Sequence, residues 1–547
     1  MKDQFAAPNP DDLSELVTLS NWLVDYCKDA YTRKDNPYFA NFVSIVQDEN
    51  WTGVLILKAA ISDIPSDLAG IIAGVKDLSD FYVHHLGIEI GQIEPSKVEQ
   101  KGSTSMFGLV YYVDPNYDDS PEPHAIAPRD PSAPYDFTLL TLKALFKNST
   151  IKKFESIAQI VLNQIFGSTV STMVDAKPTG SETNPYNAVL LEGGVQNNSG
   201  AVIYNLSSKW PNRYFLANNI LTSVEIDTAQ MSTRDDGSKS GQIVSWIGMS
   251  GFMNFAIILA PEESLPAFDI FSFGPNDAQD TGLRRGLNFN NLGLKITIPR
   301  EAVGANDLPS LVLEMQENEI AFNSSASHAR DKSLFKNLQL EVAGLVSGAA
   351  KAAKNGQSDP ASLGYLPVVT QYSLRGVSSG AGGWHGLNFK VNLGTPGALA
   401  GKVSLDSHLL IAWANDSGSD GSTGGTNPSF QAQVGIQLPG AGSGGELFSL
   451  QTVIKLSIGL IQLMYSPPVE GDPKKKGGFL LVLNQIALKL LGLLQIPPSG
   501  NTAFMLFGDP EATSSTGLGW FAIYHKDQPS TRALTHRALA AEKTENV

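Results

Sequence analysis

At 547 residues the chain has material for several domains, or for fewer that are large and β-rich. Its formal net charge of −15 and isoelectric point near 5.0 argue against a general nucleic-acid or anionic-membrane binder. Only 17% of residues are charged while glycine occurs 51 times, which suits a β-rich chain with many turns and fits neither a coiled coil nor a disordered polymer.

The start, MKDQFAAPNPDD, lacks the apolar segment of a secretory signal. Cytoplasmic synthesis is the expectation, with export by a dedicated apparatus left open. Asp11 and Asp12 precede a helical pattern in which Leu13, Leu16, Val17, Leu19, Leu23, Val24 and Cys27 share one broad face. Cys27 is the single cysteine, so intramolecular disulfides and cysteine-based structural zinc are excluded, and its apolar position reads as packing. A second helix is expected from Pro37 to Val46. Val54 to Ile61 reads as a strand and Leu68 to Leu78 as a short helix. Strands follow over Phe81 to Ile93, Met106 to Val113 and Phe137 to Phe146, the last two separated by a polar, proline-bearing loop from Val113 to Pro134. Ile151, Phe154, Ile157, Val161 and Ile165 recur at helical spacing and predict one more helix before a loop from Asp175 to Pro185.

Beyond that loop the pattern is strands and turns. Leu292, Leu294, Ile296 and Ile298 alternate with polar or small residues, and Leu311, Leu313 and Met315 repeat the pattern. Val346 to Ala361, rich in alanine, reads as a helix leading into a linker. The same alternation returns at Leu387, Phe389 and Val391 and from Phe430 to Leu438. Each such strand has one apolar and one polar face, as in antiparallel sheets wetted on one side. Gly286-Leu287-Asn288-Phe289 recurs as Gly386-Leu387-Asn388-Phe389 beside an alternating strand, a faint echo that leaves a duplication open.

Leu447 to Ile496 holds two apolar runs, Leu447 to Tyr465 and Phe479 to Ile496, joined by a connection rich in proline, glycine and lysine. The first run alternates; the second is apolar on both parities, as in a strand covered on both faces. A buried helical pair and a transmembrane pair are the competing readings. Asn484, Gln485, Lys489 and Gln495 count against the membrane, because a central lysine costs roughly 2.5–3.5 kcal/mol there. The hairpin is preferred.

The sequence therefore predicts an α+β chain, predominantly antiparallel β, with a helical N-terminal unit followed by two β-rich regions of long strands. The expected divisions are 1–175, 186–345, 362–526 with the apolar hairpin 447–496, and a polar tail at 527–547. Chemistry-bearing motifs are sparse. Gly248-Met249-Ser250-Gly251 departs from a nucleophile elbow at the next position, and Ser379 to Gly383 lacks the strand-to-helix context of a dinucleotide loop. His84 and His85 are adjacent on a predicted strand, so they face opposite ways and cannot both grip one metal without a bulge. His385 and His408 read as rim groups, and Asn415 to Gly425 as a hairpin loop lacking the closing glutamate of a calcium site. No catalytic, cofactor-binding or metal-ligating residue is assigned.

The expectation is a non-catalytic structural or interaction protein within a larger assembly, for which a component or cargo of a bacterial secretion or contractile-injection particle is one form. A carrier of an apolar ligand such as lipid is the second reading, and an enzyme with an unfamiliar site the third. A protein partner or second copy is expected, with Val482, Ile486, Leu488 and Leu490 as the apolar contact surface; nucleic acid and membrane integration are not expected.

Overall fold

The computed structural model describes residues 13–49, 51–60, 82–89, 105–118, 122–147, 150–177, 180–198, 201–208, 210–234, 242–257, 269–271, 273–275, 285–299, 312–330, 333–337, 340–348, 359–370, 377, 383–392, 406–414, 432–437, 448–450, 454–466, 471, 478–490, 494–496, 502–508 and 519–523. Two helices, Leu13–Thr32 and Ala40–Gln47, lead into a chain that is mostly antiparallel β. The strands form a 16-stranded sheet spanning Gly53–Ala60 to Ala321–Phe322 and an 11-stranded sheet spanning Leu340–Gly348 to Gly519–Ile523. Strands on both sides of residues 175–186 belong to the first sheet. Every described ladder is antiparallel except Leu366–Thr370 beside Ile454–Ser466.

One core joins the two sheets. Leu139, Ile160, Ile226, Met249 and Leu294 of the first pack with Leu387, Ile411, Val434 and Leu483 of the second. At its centre Phe255 stacks on Phe271 with centroids 5.2 Å apart, and Trp413 meets Phe255 edge-on at 5.4 Å. Fully buried rings of this size each contribute on the order of 2–3 kcal/mol through the area they remove from water. The sheets are also tied by His385 Nε2, 2.7 Å from Glu317 Oε2, so His385 is a buried tether rather than a rim group. The first sheet curls far enough that the Tyr135 hydroxyl reaches Met315 Sδ at 3.8 Å.

Three expectations are corrected. Residues 151–162 are not a helix but lie in the strand Thr150–Leu162. The strand is covered on both faces: Phe154, Ala158 and Ile160 enter the shared core, while Ile157 packs with Tyr117, Ile126 and Leu140 beneath the 114–134 loop. Two buried faces erase the period-2 signal and leave spacings that imitate a helix. The loop from 175 to 185 is largely a hairpin, with Val174 opposite Thr183 and Lys177 opposite Gly180. Val346 belongs to the strand Leu340–Gly348, not to a helix. The strand orders of the two sheets differ, so the Gly-Leu-Asn-Phe echo is a local resemblance and not a duplication of folds. The predicted helix at 68–78, the loop at 415–425 and the tail at 527–547 lie outside the described residues.

The apolar hairpin forms as Ile454–Ser466 and Gly478–Leu490, in register from Ile454 opposite Leu490 to Ser466 opposite Gly478. Both strands lie inside the second sheet, flanked by Leu366–Thr370 on one side and Thr502–Gly508 on the other. Ile461 and Leu463 are buried while Gln462 is half-buried, whereas Leu481, Val482 and Leu483 are all buried.

Candidate interaction surfaces

The N-terminal helices dock on one face of the strands Gly53–Ala60, Tyr82–Glu89 and Ser105–Val113. Ala30, Tyr38, Phe39, Phe42 and Val43 bury against Leu109 and Tyr111. Beneath them the ladder is irregular. The register between Tyr82–Glu89 and Ser105–Val113 slips at His84, and Lys58 on the neighbouring strand adopts φ 52°, a left-handed value that costs a side-chain-bearing residue on the order of 1 kcal/mol. The slip turns two consecutive histidines to the same side. Their Nδ1 atoms lie 3.0 Å apart, so one ring donates and the other accepts. The Tyr26 hydroxyl of the first helix donates to the His84 carbonyl oxygen, which anchors the helix at the bulge.

Burial, with Arg33 and Lys58 nearby, pushes His84 down to about 4. Burial and the adjacent His84 push His85 down to about 3. Both rings are therefore neutral at physiological pH, and His85 Nε2 has no hydrogen-bond partner among the described residues. Among those residues no group of three or more histidine, cysteine or acidic side chains is placed to hold a metal ion. The pair is a docking element for the helices.

The opposite face of the same strands is an apolar shelf. Val54 pairs with Ile88 and Ile88 with Met106; Ile56 pairs with Leu86, Leu86 with Gly108 and Gly108 with Phe146. Residues directly opposite share a face. Phe146 packs against the shared core, so the shelf continues the interior lining of the first sheet outward to its end. There it is uncovered: Val54 is 51% exposed, Ile56 40% and Met106 38%. Among the described residues Gly53–Ala60 pairs only with Tyr82–Glu89, which leaves it an edge strand.

The contact residues expected from sequence lie elsewhere. Val482 is 1% exposed and lies on the face opposite Leu481 and Leu483, so the strand is covered on both sides at this level. The backbones of Ile486, Leu488 and Leu490 pair with Ile458, Leu456 and Ile454, and their side chains lie outside the described set. Sequence reasoning gave Val54 and Ile56 to a strand but not to a free surface, because alternation marks a face without saying whether another layer reaches it.

No family is assigned. The chain matches no protein-family model, no curated protein and no solved structure. Among the described residues no helix is long and apolar enough to cross a membrane, which leaves strand-built spans unaddressed.

Proposed function

We propose that this chain is a non-catalytic interaction protein that works within a larger assembly and meets a protein partner through the edge strand Gly53–Ala60. The observation that carries the reading is the apolar shelf of Val54, Ile56 and Met106, an interior-type surface with no layer over it among the described residues. An edge strand with unpaired backbone groups accepts an added strand from a partner, and the exposed side chains supply the apolar contact. Covering Val54 and Ile56 would contribute on the order of 1–2 kcal/mol each. Lys58, beside the edge and in a strained conformation, would limit indiscriminate pairing. The described interior between the sheets is filled by rings such as Phe255, Phe271 and Trp413, which favours a surface-mediated role over carriage of an apolar ligand in a lumen.

The test is a double substitution, Val54→Lys with Ile56→Lys, in the chain isolated gently from its own cells. The expected result is a larger species for the unaltered chain and a single-chain species for the variant, with equal melting temperatures. A complex that persists in the variant would refute the assignment of the surface.

A further inference from the structure

We propose that a hollow on the outer face of the first sheet binds one ring of a neutral, polyhydroxylated ligand, the chemistry of a glycan. The hollow has a volume of about 280 Å³ and lies across the strands Leu221–Arg234, Gln242–Phe255 and Leu287–Pro299.

Its floor comes from a cross-strand glycine pair. Gly248 lies directly opposite Gly293, so two adjacent positions on the sheet surface carry no side chain. The Trp246 indole extends over one of them: a Cβ placed on Gly293 would come 3.6 Å from Trp246 Cζ3. The far wall is built by a bulge in Leu287–Pro299 at the level of Ser250, and the bulge in Leu221–Arg234 at the same level does not line the hollow. Asp227 is an extra residue in one neighbour, between Ile226 opposite Gly251 and Thr228 opposite Ser250. In the other neighbour Asn290 and Asn291 together oppose Ser250. Asn291 has φ 61°, a left-handed conformation that asparagine tolerates better than most residues. Its Nδ2 donates to the Glu319 carbonyl oxygen at 3.2 Å, which holds the amide and the adjoining turn together. Bulges re-aim side chains, and coincident bulges in two strands make this the most irregular level of the three-strand surface.

The lining selects the ligand class. Asn290 presents an amide that donates and accepts at once, Ser250 presents a hydroxyl with the same dual capacity, and Asn291, its Nδ2 committed to Glu319, presents its amide oxygen as an acceptor. Vicinal hydroxyls require that combination. The indole face is apolar and carries a negative quadrupole, so it suits the polarised C–H face of a sugar ring. Glu319 is the one charged group in the lining, and Lys295 lies at the rim with Nζ 5.9 Å from the Trp246 ring. The balance favours a neutral ligand over an anion.

Calorimetric titration of the full chain with cello-, manno-, galacto- and chito-oligosaccharides tests this, with inorganic phosphate and heparin as parallel probes. The expected result is saturable binding of at least one neutral series, weakened about tenfold or more by Trp246→Ala and by Asn290→Ala. Both residues face outward, and the exposed Asn290 decides the matter if Trp246→Ala lowers the melting temperature. Absence of binding by every neutral series, binding confined to phosphate or heparin, or binding that survives Asn290→Ala overturns the proposal. None of these outcomes bears on the edge-strand reading, which uses a different surface.

Discussion

Acidification should release the N-terminal helices before it unfolds the sheets. In the unfolded chain His84 and His85 take up protons near pH 6.5, whereas in the folded chain they stay neutral down to about 4 and 3. The unfolded or undocked form thus binds more protons than the folded one in this window. Stability from the pair is complete above pH 6.5 and is lost as pH falls towards the folded values. At pH 5 each histidine costs about 2 kcal/mol, the pair about 4 kcal/mol, from ~1.36 kcal/mol per pH unit. Their mutual repulsion does not enter, because neither ring is protonated in the folded chain at that pH. Amide hydrogen exchange, corrected for intrinsic rates, should show about a thousandfold loss of protection in 40–47 and 82–89 between pH 7 and pH 5. The strand Tyr135–Lys147 serves as the reference within the same molecule. His85→Phe should remove about half of the effect, because the ring already lies against Phe42 at 4.7 Å and its Nε2 has no partner among the described residues. Equal changes in helix and reference strand, or an undiminished effect in His85→Phe, would refute the reasoning.

Other substitutions separate buried from exposed chemistry. Asp269→Ala leaves the Arg330 guanidinium, now 2.7 Å from the carboxylate and nearly inaccessible, without its counter-charge; a loss of about 3–5 kcal/mol is expected in urea unfolding. Val482→Lys places a charge at a buried position and should lower the melting temperature sharply, while Val54→Lys should leave it unchanged; similar effects would contradict the assigned faces. Gly251→Ala would set a Cβ 1.8 Å from the Glu225 carbonyl oxygen, so a destabilisation of about 1–3 kcal/mol is expected in the same unfolding assay.

Much of the fold was legible because one-sided strands alternate. Leu387, Phe389 and Val391, or Leu292, Leu294 and Ile296, announce their strands directly. Strands covered on both faces defeat that signal, as at residues 151–162. The bulges had a subtler trace in the sequence. Core residues run Leu287, Phe289 and then Leu292, Leu294, Ile296, and likewise Val224, Ile226 and then Ala229, Met231. Each parity change marks an inserted residue, and the one in Leu287–Pro299 brings Asn290 and Asn291 to the hollow beside Trp246. The same-side, edge-to-face orientation of His84 and His85 depends on a third such slip, and their burial depends on helices distant in sequence, with Tyr26 and Phe42 packed against the rings. The exposure of Val54 and Ile56 was not readable at all, because an apolar alternation reads the same whether or not another layer covers that face.

The mass of the gently isolated native particle tests the central claim most directly. An interaction protein held in an assembly predicts a mass above the 58.5 kDa of one chain, with the excess lost on substituting Val54 and Ile56 by lysine. A particle of one chain mass at physiological salt, unchanged by those substitutions, would contradict it.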